Sequence, residues 1–396
     1  MDHTNWLDTV MTAAVAAPSG DNLQPWRFAV DSTAQKLRME ACCARDPSPM
    51  NAGNTMARVS LGAVLMNVLL CHLANGRPLP EVNQSGGIVE IAGINGSARP
   101  GRVPEAILNR QTNRLLYYAG QVSAGEVDRL LGDYIDAFAV YCHVVGTVDS
   151  HDTTLVITQP GRIAELAEVV ARADETLFTH RAARQAFLEA IRKAEADGDR
   201  PARVGLPIGT LGLGWHDRLA MRAVLRMRDT WLDLIGFARQ VAARTRRLVR
   251  SADLLWFHFV RDWEPATDFM LGASAQAFWI STTLQHLACQ PMMSLAVLQS
   301  MARHGFIGAA EVEPVWEMLE RVLPEAKGYR VGFVFRVGAA PTPPVRTGRL
   351  PWRELLSVQE LDTGAPTRAT APASIRPEVP LLSTDGHVVS VTKKGL

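Results

Sequence analysis

Lysine is scarce in this chain of 396 residues: of 41 basic residues, only Lys36, Lys193, Lys327, Lys393 and Lys394 are lysine, the rest being arginine. With 40 acidic residues the formal net charge is +1, so the chain lacks the basic field that non-specific nucleic-acid binding needs. Cysteine is also rare. Cys42, Cys43, Cys71, Cys142 and Cys289 show no C-x-x-C spacing, and adjacent Cys42 and Cys43 on a strand would point to opposite faces, which argues against a disulfide framework or a zinc site. The N-terminus has no basic segment leading into an apolar run, and no stretch reaches the roughly 20 uncharged apolar residues that span a bilayer. A cytoplasmic, globular protein without an integral membrane span is the expectation. Neither a G-x-S-x-G elbow nor an H-E-x-x-H helix occurs, and no carboxylate pair stands out by its spacing, so hydrolase and metal chemistry are not expected. With 47% hydrophobic residues, the chain can bury one large core or two modest ones.

What is present is concentrated near the start. In Ala16-Ala17-Pro18-Ser19-Gly20-Asp21-Asn22-Leu23-Gln24-Pro25-Trp26-Arg27-Phe28, Pro18 and Gly20 end a helix whose apolar face is Val10, Ala13, Ala14 and Ala17. Pro25 pushes Gln24 toward extended geometry, and Trp26, Phe28 and Val30 then alternate as a strand. Ser19, Asn22 and Gln24 both donate and accept hydrogen bonds, which suits the edge of a flat heteroaromatic ring. The same groups would equally serve a turn that satisfies its own backbone.

The rest reads as α+β punctuation. Leu37, Met39 and Ala41 alternate as a strand, Ser60 to Ala74 is a helix apolar on most sides, and Ile88, Val89 and Ile91 suggest a short strand. Asn67 and His72 within that helix read as satisfied core groups. Glu126 to Ile135 reads as a helix, Ala139 to Val145 and Thr154 to Thr158 as strands, and Arg162 to Arg192 as one or two helices. Gly205 to Gly214 lacks the Lys-Ser/Thr of a phosphate loop and reads as a loop. Trp231 to Arg250 is a basic amphipathic helix carrying Arg239, Arg244, Arg246, Arg247 and Arg250, either a solvated face or a surface for a membrane or partner. Leu61-Gly62-Ala63 recurs as Leu271-Gly272-Ala273 at the start of a second apolar helix, Gln276 to Leu287. Tyr329, Val331, Phe333, Phe335 and Val337 alternate with Arg330, Gly332, Val334 and Arg336 as a strand, and beyond Leu356 the composition is that of a tail.

The run from Ala17 to Trp26 resembles the flavin-ring loop of the nitroreductase family of FMN-dependent oxidoreductases. A second segment, Asn109-Arg110-Gln111-Thr112-Asn113-Arg114, is similar to that family's Arg-x-Ser/Thr-x-Arg phosphate and ribityl motif. In ordinary members the arginine motif comes first; here the loop does. That order resembles the Acg-like branch and the nitroreductase-like portions fused to ThiF-type adenylating enzymes, in which two tandem halves of one chain mimic a dimer. The resemblance covers approximately residues 6 to 356. It implies a nitroreductase-like α+β fold with a mixed or antiparallel sheet packed by helices: a first half at 1–104, a second at 105–357 with a lid-like insertion around 177–263, and a tail at 358–396.

For the site, the resemblance implies FMN contacts from Pro18, Ser19, Gly20, Asn22, Gln24, Arg110, Thr112, Arg114, Met293, Ser294, Arg346 and Arg349, with the Met293-Ser294 turn facing the reactive edge of the ring. Arginine forks suit a phosphate, and the flavin carries the hydride chemistry itself, so no catalytic side chain and no metal is named. Expected functions are reduction of a nitro, quinone or enone compound, with NAD(P)H as a further cofactor, or oxidative tailoring of a biosynthetic intermediate. Two other readings fit the residues: a flavin-sequestering or regulatory protein with little turnover, and a flavin-free interaction module. Expected partners are a small-molecule substrate, with a homodimer or a biosynthetic enzyme as further options.

Overall fold

The clearest strand in the sequence occupies the middle of its sheet, and that position buries both of its faces. In a computed structural model describing residues 6–31, 35–94, 101–146, 152–197 and 201–357, the chain runs α1 (Trp6–Val15), β1 (Trp26–Asp31), β2 (Lys36–Ala41), α2 (Thr55–Ala74), β3 (Glu81–Ser85), β4 (Ile88–Ala92), α3 (Glu105–Asn109), α4 (Ala124–Val145), β5 (Thr153–Ile157), α5 (Pro160–Thr179), α6 (Arg181–Ala196), α7 (Trp215–Val224), α8 (Asp229–Leu234), α9 (Phe237–Arg250), β6 (Leu254–Val260), α10 (Pro265–Leu284), β7 (Ala288–Pro291), α11 (Ser294–Arg303), α12 (Ala309–Val322) and β8 (Arg330–Gly338). The fold is α+β, with two antiparallel four-stranded sheets ordered β1-β2-β4-β3 and β5-β6-β8-β7. Every residue of β8 is buried, including Arg336, whose guanidinium reaches Gln290 Oε1 at 2.7 Å and the Leu248 and Leu115 carbonyls at 3.0 and 2.7 Å. On the neighbouring β6, Trp256 faces one core with Phe278 and Phe335, while Phe257 and Phe259 face a second built on α5, α11 and α12.

Both sheets have the same order, first-second-fourth-third, with a long buried helix between the second and third strands. The two helices, α2 and α10, cross where Leu-Gly-Ala recurs. A Cβ on Gly62 would stand 1.9 Å from the Phe269 carbonyl oxygen, and one on Gly272 would stand 1.8 Å from that of Val59. Only glycine admits so close an approach. The contacts are reciprocal: Arg58 and Asp268, separated by 210 residues as the two glycines are, pair at 2.7 Å. Arg330 closes on the other oxygen of Asp268 at 2.8 Å, so this buried carboxylate ties both crossing helices to β8.

Several elements differ from the sequence reading. Glu126–Val145 is one helix rather than a helix and a strand: the Ser123–Glu126 capping box starts it, and packing of Tyr134 and Tyr141 against the core outweighs the β-propensity of Val140, Val144 and Val145. Strand β3 was hidden because Glu81, Asn83, Gln84 and Ser85 are polar; it is an outer strand of its sheet, turned by Gly86 and Gly87 at φ 57° and 85°. The segment Trp231 to Arg250 breaks at Gly236 (φ 66°) into α8 and α9. Arg246 and Arg250 on α9 are bound by Glu168 of α5, so part of that helix's basic face is taken up within the protein. Of the two core groups, Asn67 donates to the Ala13 carbonyl at 2.8 Å and accepts from Gln276, whereas His72 bonds the Pro78 carbonyl through Nδ1 at 2.9 Å and leaves Nε2 without a partner among the described residues. Among the described residues, one helical stretch, Pro49–Ala74, is long and apolar enough to cross a membrane, but 78% of its apolar window is buried inside the protein, as befits α2. The expected tail at 358–396 lies outside the described residues.

Candidate functional site

A cavity of approximately 530 Å³ opens beside the helix crossing, within the range of small-molecule sites. Residues 16–22, the segment 107–114, the β7–α11 junction and the segment 345–349 all reach it. Its far wall comes from the end of α5 and from α6, α7 and α9, through Leu177, Phe187, Met221, Val241 and Leu248 among others.

The loop after α1 is held in a conformation few side chains adopt freely: Asp21, Asn22 and Gln24 have φ of 47°, 56° and 52°. What fixes it is a set of contacts distant in sequence. Asn22 Nδ2 donates to the Arg203 carbonyl at 3.1 Å and its Oδ1 accepts from Arg349 at 2.7 Å. Gln24 donates to the Arg203 carbonyl at 2.8 Å and accepts from the Leu350 amide at 2.9 Å. Ser19 Oγ accepts from the Gln24 amide at 2.9 Å. Of the residues expected from the sequence, Pro18, Ser19, Gly20 and Asn22 line the cavity, whereas Gln24 is fully buried behind it. Gln24 therefore shapes the loop from behind.

Arg110, Arg346 and Arg349 form the polar end. Arg349 donates to the Ala17 carbonyl at 3.2 Å, Arg346 to the Arg110 carbonyl at 3.2 Å, and Arg110 to the Ala16 carbonyl at 3.2 Å while its guanidinium lies 4.4 Å over the Trp279 ring. None of the three forms an ion pair among the described residues. Burial, then the charges of Arg349 and Arg346, pull the proton affinity of Arg110 well down, and burial with Arg346 lowers that of Arg349 to about 10. Arg110 is buried, Arg349 half-buried and Arg346 exposed, and three neighbouring cations that repel one another and meet no carboxylate make a site suited to an anion. Among the described residues, Arg110 Nε is left without a partner, as are Gln111 Oε1 and Gln276 Oε1 on the same wall. Arg114 lies elsewhere on the wall, donating to the Thr210 carbonyl at 3.3 Å within the field of Asp21. Thr112, Met293 and Ser294 also line the cavity, and α11 begins at Ser294, so its first-turn N–H groups have no partners within the helix.

Three carboxyl groups on the wall were not picked out from the sequence. Burial, then the charge of Asp46, raises Asp21 to about 7; burial raises Asp46; and burial raises Asp174 to about 6. A signal for Asp174 was available: it continues the series Ile163, Ala167 and Val170 and precedes Leu177, an acid on the apolar stripe of its helix. Asp21 and Asp46 lie in loops and short turns and carry no such periodicity. Among the described residues, no group of three or more histidine, cysteine, aspartate and glutamate side chains could hold a metal.

No family model matches the chain. It is 24% identical over 357 residues to the uncharacterized protein MT1398 of Mycobacterium tuberculosis (strain CDC 1551 / Oshkosh), a match covering 86% of this chain and 47% of that protein. The chain thus spans about half the length of the curated relative it matches. Among solved structures, it is similar to an FMN-bound nitroreductase from Desulfitobacterium hafniense DCB-2 at 13% identity, with 65% of this chain and 97% of that one covered and a TM-score of 0.33. It is also similar to the FMN-dependent nitroreductase NfnB from Mycobacterium smegmatis in complex with NADPH, at 16% identity, 65% and 97% coverage and a TM-score of 0.33. Superpositions at this level carry over no residue correspondence.

Proposed function

We propose that the protein is an FMN-dependent oxidoreductase of nitroreductase type acting on a small organic compound, and that one chain supplies the whole flavin site. The observation that carries the reading is the Arg110, Arg346 and Arg349 cluster, three neighbouring charges running from the buried Arg110 to the exposed Arg346, with no ion-pair partner among the described residues and a place beside the Pro18 to Asn22 loop. An FMN phosphate, with close to two negative charges, would answer that cluster through paired hydrogen bonds. Gln111, Gln276 and Trp279, on the wall adjoining Arg110, offer hydrogen-bonding groups and an aromatic face to the rest of the cofactor. When bound, FMN would supply hydride transfer, with NAD(P)H as the reductant. The chain's own part is to bind, orient and shield: the loop is pinned by Arg349 and Gln24, and α5, α6, α7 and α9 wall the reaction space from water.

The single-chain reading draws support from the common order of the two sheets and the reciprocal Gly62 and Gly272 contacts, as two tandem halves of the Acg-like or ThiF-fused kind would have. In this reading residues 1–104 and 105–357 are the halves and the insertion around 177–263 is the cap. A homodimer is compatible with the site but not needed to complete it. Purified protein should be yellow and release FMN on denaturation, and anaerobic NADPH should bleach it. A colourless protein that ignores added FMN would refute the assignment.

A further inference from the structure

We propose that Asp174 is a second polar anchor of this cavity, holding the carbonyl oxygen of an otherwise apolar, conjugated substrate and exchanging a proton with it. The inference takes its hydride source from the function proposed above; its binding part stands on the cavity alone. Asp174 projects from α5 into the wall formed by the helical cap, where Leu177, Phe178, Val241, Leu248 and Met292 are its apolar companions. Thr245 of α9 donates to Oδ2, and the Ser294 hydroxyl is close by. Asp174 forms no ion pair among the described residues, unlike the acids on the outside of the same helix: Glu168 holds Arg246 and Arg250, and Glu175 holds Arg172. A half-buried carboxyl group in an apolar wall without a cation, held by the Thr245 hydroxyl, is what a polar atom on a largely apolar guest would meet.

The charges around it are accounted for. On α9, Arg244 is engaged by the Leu211 and Gly212 carbonyls, Arg239, Arg246 and Arg250 face Glu175 and Glu168, and Arg247 is exposed. On α6, Arg184 is paired with Asp229 and Asp233. Arg303 and His304 at the end of α11, and Glu311, Glu313, Glu317, Glu320 and Arg321 of α12, are exposed. Across the cavity stand Asp21, Asp46, Arg110, Arg114, Arg346 and Arg349. The proton affinity of Asp174 is raised by burial to about 6 and restrained by the two hydroxyls, which leaves the group able to occupy either protonation state near neutral pH. Reduction of a conjugated carbonyl takes up one hydride at carbon and one proton at oxygen. As the π electrons shift onto oxygen, the Asp174 O–H breaks, an O–H bond forms on the substrate, and the carboxylate left behind regains its proton from water. The hydride is the one that the proposed oxidoreductase reaction supplies. Oxidation of a substrate would move the same atoms in reverse.

The test is binding of 4-methoxyacetophenone, an aromatic ketone with no titrating group, to the oxidised, FMN-loaded protein, measured by calorimetry from pH 5 to pH 8. Because only the neutral carboxyl donates to the ketone, a group titrating near 6 should weaken binding about tenfold between pH 5 and pH 7. Asp174→Asn keeps a donor and should bind the ketone with a flat pH profile; Asp174→Leu should bind it weakly throughout. Both should take up FMN as the parent does. Equal, pH-independent binding by parent and Asp174→Leu overturns the proposal. So does an Asp174→Asn protein that follows the parent's pH profile, since the titrating group would then be Asp21 or Asp46. If the parent takes up no FMN, the flavin assignment alone fails, and the same titration on the protein as purified still reads the anchor.

Discussion

Arg349 has two tasks that an experiment can separate. Its guanidinium fastens the loop through the Ala17 carbonyl and Asn22, and its charge completes the cluster with Arg110 and Arg346. Arg349→Ala should weaken FMN binding by roughly ten- to a hundredfold, the loss of a charge-assisted contact of about 1.5–3 kcal/mol, and Arg349→Lys should fall between, keeping the charge without the fork. Fluorescence titration of FMN reads both. Gln24 belongs to a different class. Removing its amide leaves the buried Leu350 N–H short of a partner and the Arg203 carbonyl with Asn22 alone, so Gln24→Ala should lower stability in urea by about 1–3 kcal/mol. Asp21 adds a pH dependence of definite sign. Its carboxyl is raised from 3.8 to about 7 in the folded protein, so between those values the native state holds a proton that the unfolded chain has lost. Stability without cofactor is therefore highest below pH 4 as far as this group is concerned, and falls as pH rises through 7, by at most about 1.4 kcal/mol per pH unit. Asp21→Asn should flatten that part of the urea-midpoint profile; an unchanged slope would mean that Asp21 does not titrate there.

The crossing of α2 and α10 is the element on which the site is built, since Val59, Ser60, Ala63, Gly272, Ala275 and Gln276 of these helices face the cavity. Gly62→Ala would drive a methyl group against the Phe269 carbonyl, and Gly272→Ala one against that of Val59. Each should destabilise the protein by about 1–3 kcal/mol or more, and the two should be nearly equivalent because the contacts are reciprocal. Wild-type stability in both variants would show that the helices separate at little cost. This pair also marks what the sequence disclosed at this scale. The Leu-Gly-Ala repeat, the alternation of β8 and the apolar wrap of α2 were legible because periodicity and glycine record burial directly. The C-terminal half of α4 was not, because a run of Tyr141, Val144 and Val145 suits a strand as well as a buried helix, and only packing decides. Strand β3 carries too little apolar alternation to register at all.

At the scale of the whole molecule, the arginines and the loop that sequence motifs picked out come to one cavity, while their division of labour became visible only in three dimensions. Arg114 stands in the field of Asp21 rather than in the cluster, and Gln24 backs the loop instead of facing the cavity. Nothing local in a sequence says which of several polar groups will be consumed by a chain segment arriving from residue 203 or 350. Helices α6, α8 and α9 share a small core with the end of α5 around Phe178, Leu188, Leu232 and Phe237, as the proposed cap over the cavity would. The central claim, one complete flavin site per chain built on the arginine cluster, is tested most directly by titrating FMN into the protein while its mass is followed by light scattering, for the parent and for Arg110→Ala/Arg346→Ala/Arg349→Ala. The account predicts one FMN per chain, taken up by the monomer as readily as by any dimer and lost in the triple variant. Uptake only by a dimer, or undiminished uptake by the triple variant, would contradict it.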